Sequence, residues 1–243
     1  MSVIQVIGIG PGSMEEMTPR AKSAIENADI VIGYSTYVKL IKDYFPDKQF
    51  ISSGMTREVE RCELVLQKAL EGNRVALISS GDSGIYGMAG IMLEVVNKSG
   101  SAIPVEVIPG ITAANSAAAV LGAPLMHDFA VISLSDLLTP LDLIYKRVEC
   151  AAQGDFVICL YNPRSKGRSG YINTARDIIL KSRKASTPVG IVRNAGRESE
   201  QHFITTLGDM LDYEIDMFSV VIIGNSNTYI ENGKMITPRG YKI

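Results

Sequence analysis

The chain has 243 residues, enough for one to two domains at about 150 residues each and too many to depend on disulfide or metal staples. Apolar residues make up 46% and charged residues 21%, with 22 glycines and 10 prolines, which excludes disordered, collagenous and coiled-coil chains. The 24 Lys and Arg against 26 Asp and Glu give a net charge of −2, so no global positive field exists to hold a nucleic acid. Cys62, Cys150 and Cys159 are odd in number and far apart, which argues against a disulfide framework or a thiolate metal site and makes the cytoplasm the expected compartment. No apolar run approaches the roughly 18 residues of a membrane span, and Met1 leads straight into a strand-like stretch, so neither membrane insertion nor export is expected.

Along the chain, the apolar and β-branched stretch Val3–Ile7 predicts a buried strand ending at Gly8-Ile-Gly-Pro-Gly12. Thr18 suits an N-cap with Pro19 at the first helical position, predicting a helix to about Ala28 before a strand at Asp29–Gly33. From Thr56 to Glu71, Val59, Cys62, Leu66 and Ala69 share one helical face, and Gly72 suits the C-terminal stop. Strands at Val75–Ile78 and Val105–Ile108 alternate with helices at Met88–Asn97 and Thr112–Leu121. That alternation is the pattern of a mostly parallel sheet covered on both faces, with functional loops after the strand C-termini.

Past Pro124 the composition changes. Residues 1–124 hold 10 basic and 13 acidic side chains, residues 125–243 hold 14 and 13, and three basic residues gather in Arg164-Ser-Lys166-Gly-Arg168. A domain boundary is therefore expected near Pro124, giving an N-terminal domain 1–124 and a C-terminal domain 125–243. The second half carries strands at Phe129–Leu134, Phe156–Tyr161, Pro188–Arg193, Phe203–Thr206 and Ser219–Gly224, with helices near Leu138–Ala152, Tyr171–Ser182 and Leu207–Tyr213. No internal period is visible.

The glycine turn after the first strand invites a dinucleotide reading, and three details oppose it. Ser13 stands where the spacing from Gly8 and Gly10 requires glycine, Pro19 delays the helix, and Gly33-Tyr34 rather than an acid closes the second strand. A loop shaped for another close ligand fits better. Gly81-Asp-Ser-Gly-Ile-Tyr-Gly87 and Pro109-Gly-Ile-Thr-Ala-Ala114 follow strands expected beside the first, so three small-residue loops should converge. Glycine admits backbone groups to a ligand, and Asp82, Tyr86 and Thr112 offer polar contacts.

Ile7-Gly-Ile-Gly-Pro-Gly12, the Gly81-Asp82 loop with Tyr86, and Pro109-Gly-Ile-Thr-Ala113 together resemble the tetrapyrrole methylase family across essentially the whole chain. Within it, Leu134-Ser-Asp-Leu-Leu-Thr-Pro140, Leu160-Tyr-Asn-Pro163, Thr187–Ala195, Val221–Ser226 and Thr237-Pro-Arg-Gly-Tyr241 look like the precorrin-3B C(17)-methyltransferase branch of cobalamin synthesis. Ser83 departs from the proline that many members carry after the Gly-Asp pair. The resemblance implies two α/β domains, the second with a mixed sheet, and an S-adenosylmethionine cleft between them. It implies Pro11, Gly81, Asp82, Ile85, Tyr86, Thr112, Ala113, Tyr161, Asn162, Asn194 and Ala195 at the cofactor. It also implies a homodimer and a tetrapyrrole substrate bearing several carboxylates, with any cobalt carried by that substrate and no metal bound by the protein itself.

Arginine's planar fork suits carboxylates, so Arg164, Lys166, Arg168, Arg193 and Arg197 are candidate macrocycle contacts. Methylation at C(17) accompanies ring contraction in this branch, a step helped by a positioned acid or base, and His127, Asp128 and Asp136 follow the expected hinge. The readings kept beside this one are a sibling methylase with another acceptor and a non-catalytic tetrapyrrole carrier. Cys159 lies inside the apolar Phe156–Leu160 stretch and reads as a small core hydrophobe.

Overall fold

The computed structural model describes residues 2–165, 167 and 169–242. The chain divides into two compact units, Met1–Ala113 and Ala114–Ile243. In the first, β1 (Val3–Gly8), α1 (Pro19–Asn27), β2 (Ile30–Tyr34), α2 (Ser35–Ile41), β3 (Gln49–Ser53), α3 (Glu58–Leu70), β4 (Arg74–Ser79), α4 (Ala89–Ser99) and β5 (Val105–Ile108) follow one another. The five strands form one wholly parallel sheet in the order β3-β2-β4-β1-β5.

Strand periodicity divides the core of this unit in two. Ile4, Val6, Ile32 and Leu77 point to one face and meet Cys62, Val65 and Met92 from α3 and α4. Ile7, Val31, Ala76 and Ile78 point to the other and meet Ala21, Ile25 and Val38 from α1 and α2. Thr18 caps α1 as its sequence predicts, its Oγ1 accepting from the Ala21 amide at 3.1 Å. Val59 differs from expectation: it is 55% exposed, because it lies in the first turn of α3 at the margin of the stripe that Cys62, Val65, Leu66 and Ala69 bury.

The second unit starts with the body of α5 (Ala113–Leu121) and continues through β6 (Gly122–Ala123), β7 (Phe129–Ser133), α6 (Leu141–Gln153), β8 (Val157–Tyr161), α7 (Tyr171–Leu180), β9 (Pro188–Arg193), β10 (Gln201–Thr206), β11 (Ser219–Ile223), β12 (Tyr229–Glu231) and β13 (Lys234–Ile236). Its main sheet is mixed, in the order β10-β9-β11-β8-β7, with only β7 and β8 parallel. Ile144, Val148, Leu160, Ile172, Ile179, Ile191 and Val221 are part of its core.

The break between units falls at Ala113 rather than at Pro124, and packing explains the difference. Leu121 occupies the space above Gly190 of β9, where an added Cβ would meet its Cδ1 at 2.2 Å. Gly122 and Ala123 then pair with Met235 and Ile236 of β13. The alanine-rich α5, apolar on almost every face, is thus anchored in the second unit. The helix expected at Leu207–Tyr213 is only a 3₁₀ turn at Met210–Asp212. Gly208 opens the segment, and Thr206 Oγ1 donates to Asp209 Oδ2 at 2.7 Å, closing a local turn that competes with helix.

Cys62 and Cys159 are fully buried, and desolvation pushes both thiols up to about 12, whereas Cys150 is exposed. Ellman's reagent should therefore titrate one thiol of the native chain and three after unfolding in guanidinium. Rapid native modification of a second thiol would show that one of the two cores opens readily.

Candidate active site

In a parallel sheet every strand delivers its C-terminal loop to the same edge. In the first unit the loops after β1, β4 and β5 meet there at backbone distance. Gly10 and Gly81 form an antiparallel bridge, the Gly10 amide donating to the Gly81 carbonyl at 3.1 Å and the Gly81 amide to the Gly10 carbonyl at 2.7 Å. The Asp82 carboxylate joins the third loop, accepting from the Gly84 amide at 2.8 Å through Oδ1 and from the Gly110 amide at 3.0 Å through Oδ2. Asp82 therefore fixes the loops to one another.

Glycine at this junction is a steric requirement. A Cβ on Gly110 would lie 2.3 Å from the Gly81 carbonyl oxygen and 2.6 Å from that of Gly8, and a Cβ on Gly8 would lie 2.7 Å from the Gly110 nitrogen. Ser83, the departure from the family's proline, is fully buried, with its hydroxyl 3.2 Å from the Val6 carbonyl and 3.3 Å from the Ile108 carbonyl. It ties the loop to β1 and β5 by side chain where a proline would stiffen the backbone. Neither Gly8 and Gly110 nor Ser83 figured among the expected site residues; glycines closing one strand and standing two residues past its neighbour were the available signal.

Around this junction, Pro11 is buried, Gly81 takes a left-handed φ of 66°, and Ile85 and Tyr86 are 40% and 59% exposed. Thr112 and Ala113 stand across from Gly81, whose Cβ direction points to the Ala113 nitrogen at 3.6 Å and the Thr112 Cα at 3.8 Å. Residues 8–13, 79–88 and 109–113 include no Lys, Arg or His. The site thus presents carbonyls, amides, one carboxylate and small or apolar side chains, a donor and acceptor set suited to a ligand with positive charge. A shallow depression of about 590 Å³ at the N-terminal end of the strands, lined by Leu70, Ile103 and Pro104 among others, has no titratable side chain and is no rival to it.

The remaining candidates belong to the second unit. Tyr161 closes β8, and its hydroxyl accepts from the Ala114 amide at 2.7 Å, satisfying one of the free amides of the first turn of α5. Asn162 and Asn194 directly follow β8 and β9, both left-handed at φ of 51° and 52°, a conformation asparagine tolerates better than most residues. Asn162 Nδ2 donates to Ser133 Oγ at 2.9 Å, Asn194 Nδ2 to Ser199 Oγ at 3.0 Å, and Ala195 is buried.

His127, Asp128 and Asp136 do not gather. His127 and Asp128 are exposed before β7, and the Asp128 amide donates to His127 Nδ1 at 2.9 Å. Asp136 lies beyond the far end of that five-residue strand, which spans roughly 17 Å, and accepts from the Tyr171 hydroxyl at 2.7 Å. Of the basic candidates, Arg193 is already engaged, its Nε donating to Asp216 at 2.8 Å with Glu214 at 3.4 Å. Arg197 donates its backbone amide to the Asn194 carbonyl at 3.0 Å. Arg164 reaches Asn173 Oδ1 at a long 3.4 Å, and its buried Nε has no hydrogen-bond partner. Lys166 and Arg168 lie outside the described residues. Among the described residues no three His, Cys, Asp or Glu side chains cluster as metal ligands, and no helix is long and apolar enough to cross a membrane.

A sequence profile of the Tetrapyrrole (Corrin/Porphyrin) Methylases matches residues 3–211. The chain belongs to this family. It is 55% identical over 242 residues to the probable cobalt-factor III C(17)-methyltransferase of Salmonella typhimurium, covering 99% of this chain and 100% of that protein. It is 52% identical over 241 residues to the cobalt-factor III methyltransferase of Priestia megaterium, covering 98% of this chain and 45% of that longer protein. The crystal structure of the methyltransferase CobJ matches it with a TM-score of 0.91 at 32% identity, covering 98% of this chain and 100% of that one. Family and fold, two α/β units with a parallel and a mixed sheet, thus agree with the resemblance read from the sequence.

Proposed function

We propose that this methylase transfers a methyl group from S-adenosylmethionine to C(17) of cobalt-factor III or precorrin-3B, with contraction of the macrocycle, in cobalamin biosynthesis. The observation that carries the reading is the convergence of three cation-free loops at one edge of the first sheet, joined with membership of the family. The relatives' names supply the acceptor.

When bound, S-adenosylmethionine supplies a methyl on a cationic sulfonium, which leaves as a neutral thioether. The chain's own part is to hold and enclose. Gly81, Asp82, Ile85, Tyr86, Thr112 and Ala113 bind the donor, with Pro11, Tyr161, Asn162, Asn194 and Ala195 as further contacts. Carbonyls favour a positive ligand, and the absence of cations from these loops removes the side chains that would repel it. Positioning the donor against a nucleophilic carbon needs no covalent intermediate, which agrees with Cys159 being a core residue. Arg164 and Arg197 contact acidic groups of the macrocycle, and cobalt, where present, arrives within the substrate. A cytoplasmic homodimer, not associated with nucleic acid or membrane, belongs to the same proposal and rests on the resemblance.

Anaerobic incubation with cobalt-factor III or precorrin-3B and methyl-labelled donor tests it. The product should gain one methyl, with release of S-adenosylhomocysteine and a changed macrocycle spectrum. A methyl gain with an unchanged spectrum removes the contraction. Turnover of uroporphyrinogen alone makes the protein a sibling methylase, and macrocycle binding without S-adenosylhomocysteine makes it a carrier.

A further inference from the structure

The loop between β7 and α6 is fixed at both ends and bare at its tip. Leu134 is fully buried, and its amide donates to the Tyr161 carbonyl at 2.9 Å; Pro140 begins the run into α6. Between them Asp136 accepts from the Tyr171 hydroxyl at 2.7 Å, and the Tyr171 ring meets that of Tyr145 on α6 edge to face, 6.4 Å between centroids. A loop anchored in this way has little freedom to fold its apolar side chains inward. Leu137 and Leu138 are nevertheless 71% and 93% exposed. Scattered surface leucines need no explanation, but two adjacent ones on a braced tip form a small apolar plate that water solvates poorly.

The loop after the neighbouring strand carries a cation. Arg164 follows β8, the parallel neighbour of β7, and its guanidinium also rests on the start of α7, through Asn173 at 3.4 Å, with a buried Nε that has no partner. The dileucine loop and the arginine loop are thus seated on Tyr171 and Asn173 of the same helix, at the C-terminal end of two adjacent parallel strands. The ligand chemistry that satisfies both is a flat apolar ring carrying carboxylates on its rim.

We propose that Leu137 and Leu138 are a platform for the face of the tetrapyrrole, with the Asp136–Tyr171 hydrogen bond as the positioning brace and Arg164 meeting a rim carboxylate. This rests on the function proposed above and adds specificity residues to it. In this role Asp136 does not act as acid or base; it holds the loop.

Equilibrium binding of cobalt-factor III, followed by its own absorbance without methyl donor, tests the platform, while turnover by the unmodified protein separately tests the function. In the double variant Leu137→Ser/Leu138→Ser, the dissociation constant for cobalt-factor III should rise about tenfold or more, with S-adenosylmethionine affinity and melting temperature unchanged. Tyr171→Phe should raise KM for the tetrapyrrole several-fold while leaving kcat within about twofold. An unchanged dissociation constant in the double variant overturns the proposal, and a simultaneous loss of the dimer in sedimentation assigns the leucines to a subunit contact instead. A Tyr171→Phe variant that loses kcat and melting temperature but keeps KM removes the brace.

Discussion

Alanine at Gly110 should weaken S-adenosylmethionine binding about a hundredfold. The new methyl would stand 2.3 Å from the Gly81 carbonyl oxygen and 2.6 Å from that of Gly8, and both obstacles are backbone, so no rotamer change relieves the overlap. The loops must part by about an ångström, which breaks the 3.0 Å hydrogen bond from the Gly110 amide to Asp82 and strains the Gly10–Gly81 bridge. Overpacking of this kind costs about 1–3 kcal/mol of stability. At about 2–4 °C per kcal/mol for a chain of this size, the melting temperature falls by roughly 2–12 °C. The effect on the ligand is larger in proportion, because a displacement of about 1 Å in positioning groups can cost about a hundredfold. Calorimetric titration with S-adenosylmethionine below the lowered melting temperature reads the result. Wild-type affinity in the alanine variant would mean that the three-loop junction is not where the donor binds. Asp82→Asn is the milder companion: an amide oxygen still accepts from one of the two backbone amides while the other loses its partner, so the affinity loss should be smaller than for alanine at Gly110.

The parallel sheet and its loops were legible in the sequence because strand ends there coincide with glycine. Gly8, Gly81 and Gly110 stop their strands within a residue or two of the last buried position, and the same spacing that breaks the strand forms the site. Residues 35–55 were not legible. The short α2 and the edge strand β3, Gln49-Phe-Ile-Ser-Ser53, carry no long apolar run, and β3 is recruited by β2 through register rather than by its own pattern. Arg61 illustrates the same limit. It faces the core from α3, 4% exposed, and donates to Ser53 Oγ and the Gly54 carbonyl, both at 2.8 Å, a place no helical-periodicity argument assigns to a cation. The C-terminal hairpin is different: Asn232-Gly233, with φ of 50° and 70°, is a strong turn signal between short strands, and its three-residue strands were too brief to register beside it. In the second unit, strand and helix positions followed from composition, but which side chains meet did not. His127 and Asp136 are nine positions apart in sequence and look like neighbours, yet β7 runs between them and carries them to opposite ends.

The second large effect lies within the second unit. Arg183, 8% exposed three residues past α7, directs Nη1 to Asp155 Oδ1 and Nη2 to the Phe156 carbonyl at 3.1 Å. Burial lowers the guanidinium's affinity for its proton, the desolvation that a carboxylate partner must offset. Asp155 also accepts from the Ser226 amide at 3.0 Å and from the Ser226 hydroxyl at 2.6 Å, so one carboxylate joins the segment after α7, the start of β8 and the turn after β11. It does so from a left-handed backbone at φ 59°. In Asp155→Ala the arginine stays buried with one carbonyl, Ser226 loses both partners, and alanine must adopt a conformation that Asp tolerates better. Removing one member of a buried pair costs about 3–5 kcal/mol, and the 44% exposure of the Asp155 side chain puts this case near about 3 kcal/mol, a melting-temperature drop of roughly 6–12 °C. Asp155→Asn keeps the turn and part of the hydrogen bonding, and should lose less than half of that. Arg183→Met combined with Asp155→Ala should be more stable than Asp155→Ala alone, because the uncompensated charge is gone. If the double variant is instead less stable than Asp155→Ala by the full cost of Arg183→Met alone, the two residues act independently and the pair does not hold this corner together.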